Sequence, residues 1–311
     1  MINYVKTLII GGMNMESVLE KNEEMKEKIE VPCEEKKKFK ILGYSVWRLL
    51  AYFIIYSIIG YIIETIFGIM TKGVWESRQS FLYGPFCGIY GLGAVVMIMF
   101  LQYFNKNNNT LFIGGFIVGS IVEYVVSLIG EIIFNVKWWD YSNMPLNVNG
   151  RICVFFSLFW GFLAIYLMSY AHPKIDKLLN FIKSKLSIKA SKVIITLISV
   201  FLLVDCIITG YALKVFFIRK AYENDLNVAN RVYIDSQYDK IYNKDKELSN
   251  FIYKFFGDEK MIKTFPNLKT QDLDGNIIYF DCFVGDIQTY YYKFNSHLRG
   301  DLVNILKREN L

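Results

Sequence analysis

Apolar positions along this chain gather into long blocks separated by short polar stretches. The first block runs over residues 47–70, and the second over 83–104, opening at a Gly84-Pro85 turn. The third covers 111–134 after the Asn-rich turn NKNNNT, the fourth 152–171 up to His172-Pro173, and the fifth 193–213. A helix needs about 20 apolar residues to cross the hydrocarbon of a bilayer, so each block has the length of a span. The pattern predicts an all-α integral membrane bundle of about five transmembrane helices within residues 46–218.

The flanks read differently. In the charged N-terminal tail, residues 1–45, Glu and Lys alternate around Pro32, which suits a solvated helix or flexible tail. Its first residues lack the apolar length and cleavage site of a signal peptide. Gly11-Gly12 ahead of Met13 and Met15 matches a translated ribosome-binding site, making Met15 a candidate start. Between the last two spans, Ile175, Leu178, Leu179, Ile182 and Leu186 recur at helical spacing among six lysines. That predicts a basic amphipathic helix over 174–189 lying on an anionic membrane face. Residues 219–311 are expected to form a soluble α+β extension. Ile234, Tyr238, Ile241, Leu248, Ile252 and Phe255 suggest a long amphipathic helix, and Asp274-Gly275 a hairpin turn.

Composition adds little: 53% of the 311 residues are apolar, and it is their clustering that separates this chain from a globular protein. The net charge of +6 comes from lysines before the first span and between the last two. Such placement favours lipid headgroups over nucleic acid. The positive-inside rule then puts the N-terminus and the amphipathic segment in the cytoplasm, although Arg219 and Lys220 would follow the fifth span on the outside. The five cysteines are scattered and only His172 and His297 are present, so neither a disulfide framework nor a metal centre is indicated. No GxxxxGK[ST] phosphate loop, HExxH, GxSxG or Cys/His nucleophile pattern occurs, so the chain is read as a non-enzyme without a cofactor.

Ionisable groups within the spans carry the chemistry. Glu64, Glu123, Glu131 and Asp205 lie in apolar blocks, and a carboxylate at mid-membrane costs roughly 2.5–3.5 kcal/mol. These groups must therefore face protein or water. Ser57, Gly60, Tyr61, Glu64, Gly68 and Thr71 form one polar stripe, and Ser120, Glu123, Ser127 and Gly130 another. Two readings follow: structural members of a packed bundle, or Glu64 and Glu123 lining one polar path. Gly84 with Gly88 and Gly115 with Gly119 form GxxxG pairs suited to close helix packing, within one bundle or between copies. The connection after the third span is rich in interfacial groups: Trp138, Trp139, Asp140, Tyr141, Asn147, Asn149, Gly150 and Arg151. It reads as an aromatic belt and turn, or as a folded cap in which Asp140 and Arg151 pair or touch a ligand.

Glu64, then YGPFCGIYGLGA (Tyr83, Gly84 and Pro85 onward), Glu123, WWDYSNMPLNVNGR, His172-Pro173 and Asp205 resemble the bacterial CmpB-like family called putative ABC-transporter type IV. The resemblance covers roughly residues 45–215. It implies a permease-type subunit in the bacterial cytoplasmic membrane, working with a separate ATPase subunit because this chain has no phosphate loop. Two alternatives are a sensory or interaction protein working through its C-terminal region, and a lipid-acting enzyme using Asp140 and Arg151.

Overall fold

The computed structural model describes residues 39–285 and 287–294. The Met15 start and most of the charged tail lie outside these residues. The chain divides into two units, residues 1–45 and 46–311. In the first, β1 (Lys40–Ile41) pairs antiparallel with β2 (Tyr44–Ser45) around a turn at Leu42-Gly43, where both φ angles are positive.

The second unit is helical. α1 (Val46–Lys72) has 27 residues, α2 (Gly88–Leu101) 14, and α3 (Asn108–Phe134) 27. α4 (Val154–Tyr166) passes through a π-helical turn, Leu167–Ala171, into α5 (His172–Lys185), and α6 (Ile188–Glu223) has 36 residues. Four helical runs, α1, α3, α4 with α5, and α6, are long and apolar enough to cross a membrane. α2 rises only about 21 Å, less than the hydrocarbon thickness of about 30 Å. The second block is therefore shorter as a helix than its apolar length predicts. Its first residues form a loop, because Gly84 takes φ +80° and Pro85 offers no N–H to a helix.

The fourth span and the amphipathic segment are one continuous helical run, not the two helices expected from the His172-Pro173 signal. In a regular helix the Pro173 ring would collide with the carbonyl four residues earlier. The preceding turn is widened instead, and His172 N–H donates to Leu167 O five residues back. α3 opens on a capping box between Asn107 and Thr110 and stops at Asn135, whose φ of +57° ends the helix.

Small residues set the helix seams. A Cβ at Gly115 would lie 2.2 Å from Ala164 Cβ, and one at Gly119 2.6 Å from Trp160. This GxxxG pair thus holds α3 against α4 within one chain, beside a Ser120–Ser157 hydrogen bond of 2.7 Å. Gly60 meets Tyr90 between α1 and α2. Gly84 and Gly88 are no helix pair, since Gly84 is in the loop and Gly88 only begins α2. Outward faces carry Ile62, Ile66, Phe67, Ile117, Ile121, Leu197, Leu203 and Ile207 exposed, the surface a bilayer requires.

The C-terminal residues close over one end of these helices. The last turns of α6 bury Phe216, Phe217 and Ile218 against Ile234 of α7 (Arg231–Tyr238) and Ile252 and Phe256 of α8 (Lys246–Phe256). Met261 and Ile262 of α9 (Asp258–Thr264) and Phe280 complete this core, which also takes in Leu82 and Val136 from the interhelical loops. Six short strands tie the layer down. β3 (Val74–Glu76) follows α1, a β4–β5 hairpin (Asn147–Val148, Ile152–Cys153) leads into α4, and β6 (Lys269–Gln271) pairs with β7 (Ile277–Tyr279) across Asp274-Gly275. β8 (Tyr290–Lys293) then pairs with β3, and Lys137 N–H donates to Lys269 O at 2.7 Å. So the ends of α1, α3 and α6 and the starts of α2 and α4 all meet under one layer.

Candidate functional site

The loop of residues 77–87 is non-helical backbone beside the spans, and such backbone needs partners for its N–H groups. Asp205, almost fully buried on α6, supplies them. Its Oδ2 accepts from Tyr83 N–H at 3.1 Å, and its Oδ1 from Thr209 Oγ1 at 3.3 Å. Thr209 Oγ1 in turn accepts from Leu82 N–H at 2.9 Å. The intramembrane carboxylate of α6 is thus a loop anchor.

This loop aims Arg78 at α1. Arg78 Nη2 binds Glu76 at 2.8 Å, Lys72 binds the same carboxylate at 2.9 Å, and Asn267 of the C-terminal layer donates to it at 3.2 Å. The guanidinium lies on Gly68, where a Cβ would come within 2.7 Å of Nη2. Glu64 Oε1 accepts from Tyr90 Oη–H at 2.7 Å. Glu64 Oε2 faces Arg78 Nη1 at 4.0 Å, too far for a direct hydrogen bond. Both groups border a cavity of about 460 Å³ whose walls are otherwise largely apolar: Phe53 of α1, Leu92 of α2, Phe134 of α3, Leu213 of α6 and Phe265 of the layer. Trp138 and Trp139 line it too, rather than forming a purely interfacial belt. A wider hollow of about 800 Å³, lined by Tyr211, Lys240 and Glu247, lies on the C-terminal layer, and α6 is the only span that reaches it.

Glu123 does not share the cavity. Tyr141 Oη–H and Trp160 Nε1–H each donate to it at 2.9 Å, and Tyr141 stacks on Phe156 with centroids 4.6 Å apart. Glu123 borders only a void of about 10 Å³ with Met97 and Gly119. Glu64 and Glu123 thus border two different spaces, to both of which Ile89 of α2 contributes. Burial, and then the adjacent Glu123, push the Tyr141 phenol well above its ordinary pKa, so it stays a donor.

The loop that carries Asp140 and Arg151 is held by bonds within itself and to α3. Arg151 Nη2 binds Glu131 at 2.7 Å, not Asp140, because the β4–β5 hairpin turns Arg151 back onto α3. Asp140 instead accepts from Ser142 Oγ at 2.8 Å and faces Lys137 at 3.7 Å. Asn147 Oδ1 accepts from Gly150 N–H at 3.0 Å, Asn149 Nδ2 donates to Tyr124 Oη at 3.0 Å, and Trp139 Nε1 donates to Arg151 O at 3.0 Å. A side chain at Gly150, φ +65°, would strike the Asp140 carboxylate.

The family described as Putative ABC-transporter type IV matches residues 51–210, just over half of the chain. The chain belongs to this family. No curated protein and no solved structure matches it. The family's segment runs from the first turns of α1 to Gly210 on α6, so this membrane protein of ABC-transporter type carries its Glu64–Arg78 pair and its Asp205 anchor inside the shared region, while the cavity also takes Leu213 and residues 264–268 from beyond it. Residues 211–311 lie outside it.

Sequence reasoning missed Arg78 and Tyr90 as partners of Glu64. It also missed a polar cluster in this family member at the other end of α1. There Arg48 Nη2 binds Asp176 of α5 at 2.8 Å, and Arg48 Nε donates to Tyr52 Oη at 2.7 Å. Tyr52 Oη–H donates to Asp176, and the His172 ring stands edge-on to Tyr52 at 4.9 Å. The Arg48, Tyr52 and Tyr56 spacing at i, i+4, i+8 was the available signal.

Proposed function

We propose that this chain is a permease-type subunit of the bacterial cytoplasmic membrane, N-terminus inside, whose cavity among α1, α2, α3 and α6 is the substrate site. The observation that carries this is the cavity itself, a largely apolar space bordered by the Glu64–Arg78 pair. Ligand sites are typically apolar hollows with a few placed polar groups. ATP hydrolysis is assigned to a separate ATPase subunit, since the sequence has no phosphate-binding loop, and the chain itself is read as catalysing no reaction. The orientation draws support from Arg219 and Lys220: both are buried in the C-terminal layer with Asp258, so they are not headgroup-facing charges.

The test is purification of the full chain from native membranes in mild detergent, with partners identified by mass spectrometry. A stoichiometric P-loop ATPase is expected, with ATP-driven transport that Arg78→Gln reduces at least tenfold. A chain that purifies alone and drives no ATP-dependent flux in vesicles overturns the reading.

A further inference from the structure

The cavity's own chemistry selects a class of ligand, and this inference rests on reading it as the substrate site. Two charges line it, Glu64 and Arg78, and behind Arg78 stand Glu76 and Lys72, so the cluster of four balances. A charged headgroup entering there would leave one charge unmatched in a poorly solvated place. What the cluster lacks is a bridge. Glu64 Oε2 takes no hydrogen bond among the described residues and stands 4.0 Å from Arg78 Nη1. A hydroxyl between them donates to the carboxylate and accepts from the guanidinium, making two charge-assisted bonds without adding charge.

The remaining walls suit a hydrocarbon chain, and the fold leaves that chain a way in from the bilayer. α6 packs on α1 and α3, yet its buried residues begin only at Leu202. No residue from Ile188 to Phe201 is buried among the described residues, and Val193, Leu197 and Val200 are exposed. This half of α6 is therefore packed less closely than the half from Leu202 on. On the cavity wall itself, Leu92 of α2 is 42% exposed and Cys206 of α6 is exposed. We infer that the cavity takes a neutral, hydroxyl-headed amphiphile from the lipid phase, its hydroxyl bridging Glu64 and Arg78 and its chain lying against Phe53, Leu92, Phe134 and Leu213.

The experiment uses the full chain in lipid nanodiscs with two photoactivatable probes sharing one oleoyl chain, a monoacylglycerol and a free fatty acid. Saturable labelling of peptides containing Leu92 or Leu213 is expected. The monoacylglycerol should win by about tenfold or more, the ratio that a lost bridge or an unpaired charge predicts. Glu64→Gln should erase or invert that preference, because Arg78 then favours the carboxylate probe. Leu92→Trp, at a half-exposed wall position, should suppress labelling; if that variant misfolds, competition by unlabelled monoacylglycerol gives the same readout. Three results overturn the inference: labelling confined to lipid-facing residues such as Ile117 and Ile121, equal labelling by both heads, or labelling excluded because α6 crosslinks to α6 of a second copy. Saturable labelling without ATP-driven flux would sustain the ligand class and sink the permease reading. Flux of a water-soluble solute without saturable labelling would do the reverse.

Discussion

Asp258→Asn should loosen the C-terminal layer more than Arg219→Met, although the two residues form one ion pair. Asp258 binds two cations, Arg219 Nη2 and Lys220 Nζ, each at 2.6 Å. Arg219 is 0% exposed and Lys220 3%. Without the carboxylate, Lys220 keeps Glu223 at 2.9 Å and Arg219 keeps the Phe256 carbonyl at 3.1 Å. Removing one partner of a buried pair costs about 3–5 kcal/mol, and the partial exposure of Asp258 argues for the lower end, about 3 kcal/mol. In Arg219→Met, Asp258 keeps Lys220 and its access to water. Exchanging a buried ion for an apolar group of similar volume is close to neutral. What remains is the lost contact of the guanidinium with Tyr253, 5.0 Å from the ring centroid, and the lost hydrogen bond to the Phe256 carbonyl, together worth about 2 kcal/mol. Hydrogen exchange on the full chain in detergent reads both. The Phe280 N–H, which donates to Leu268 O at 3.1 Å, should exchange about 150-fold faster in Asp258→Asn and about 30-fold faster in Arg219→Met. Equal acceleration in the two variants would refute the charge argument and leave side-chain shape as the cause.

Three further outcomes follow from particular contacts. Asp205→Ala strands the Tyr83 N–H and should cost about 1–3 kcal/mol, visible as faster exchange confined to residues 81–87. Gly115→Val drives a side chain into Ala164 Cβ and the Trp160 carbonyl, at 2.2 and 2.8 Å from an added Cβ, so the monodisperse folded yield should fall. Gly93→Ala meets nothing within 4 Å and should raise thermal stability by roughly 0.5–1 kcal/mol. Lys269 gives a pH dependence. Burial chiefly, with Lys137 and Lys72 adding to it, holds its pKa below the ordinary 10.5. The unfolded chain binds that proton more tightly, so layer stability should rise with pH between the lowered folded value and 10.5. Lys269→Met should remove that slope from an exchange-versus-pH series.

The membrane architecture was legible because lipid punishes exposed backbone so strongly that long apolar blocks have few other outcomes. The hairpin at Asp274-Gly275 was legible for an equally local reason, a two-residue turn signal. Failures came where tertiary contact overrode a local sign. Pro173 normally ends a helix, but one wide turn absorbs it. Gly84 and Gly88 have the spacing of a helix seam and serve a loop instead. Asp140 and Arg151 have opposite charge across a short connection, yet the hairpin turns one toward Glu131 and the other toward Ser142. Arg78 could not be matched to Glu64 from sequence, because 14 positions and a reversal of chain direction separate them.

The four intramembrane carboxylates can now be sorted by what they leave unspent. Asp205 holds the backbone of one loop, Glu131 the guanidinium of another, and Glu123 a tyrosine and a tryptophan that fix the loop and α4 to α3. Each solves the same problem: non-helical chain beside a bilayer must be pinned by groups on the spans. Asp205 and Glu123 have both oxygens engaged in this way, and Glu131, bonded through Oε2, lines none of the cavities described above. Glu64 differs, since one oxygen is held by Tyr90 while the other faces Arg78 across a gap no protein group fills among the described residues. It also borders the one cavity that takes walls from α1, α2, α3, α6 and the C-terminal layer together. Position in an apolar block made all four residues candidates; an unused oxygen that also borders a cavity separates the site from the anchors.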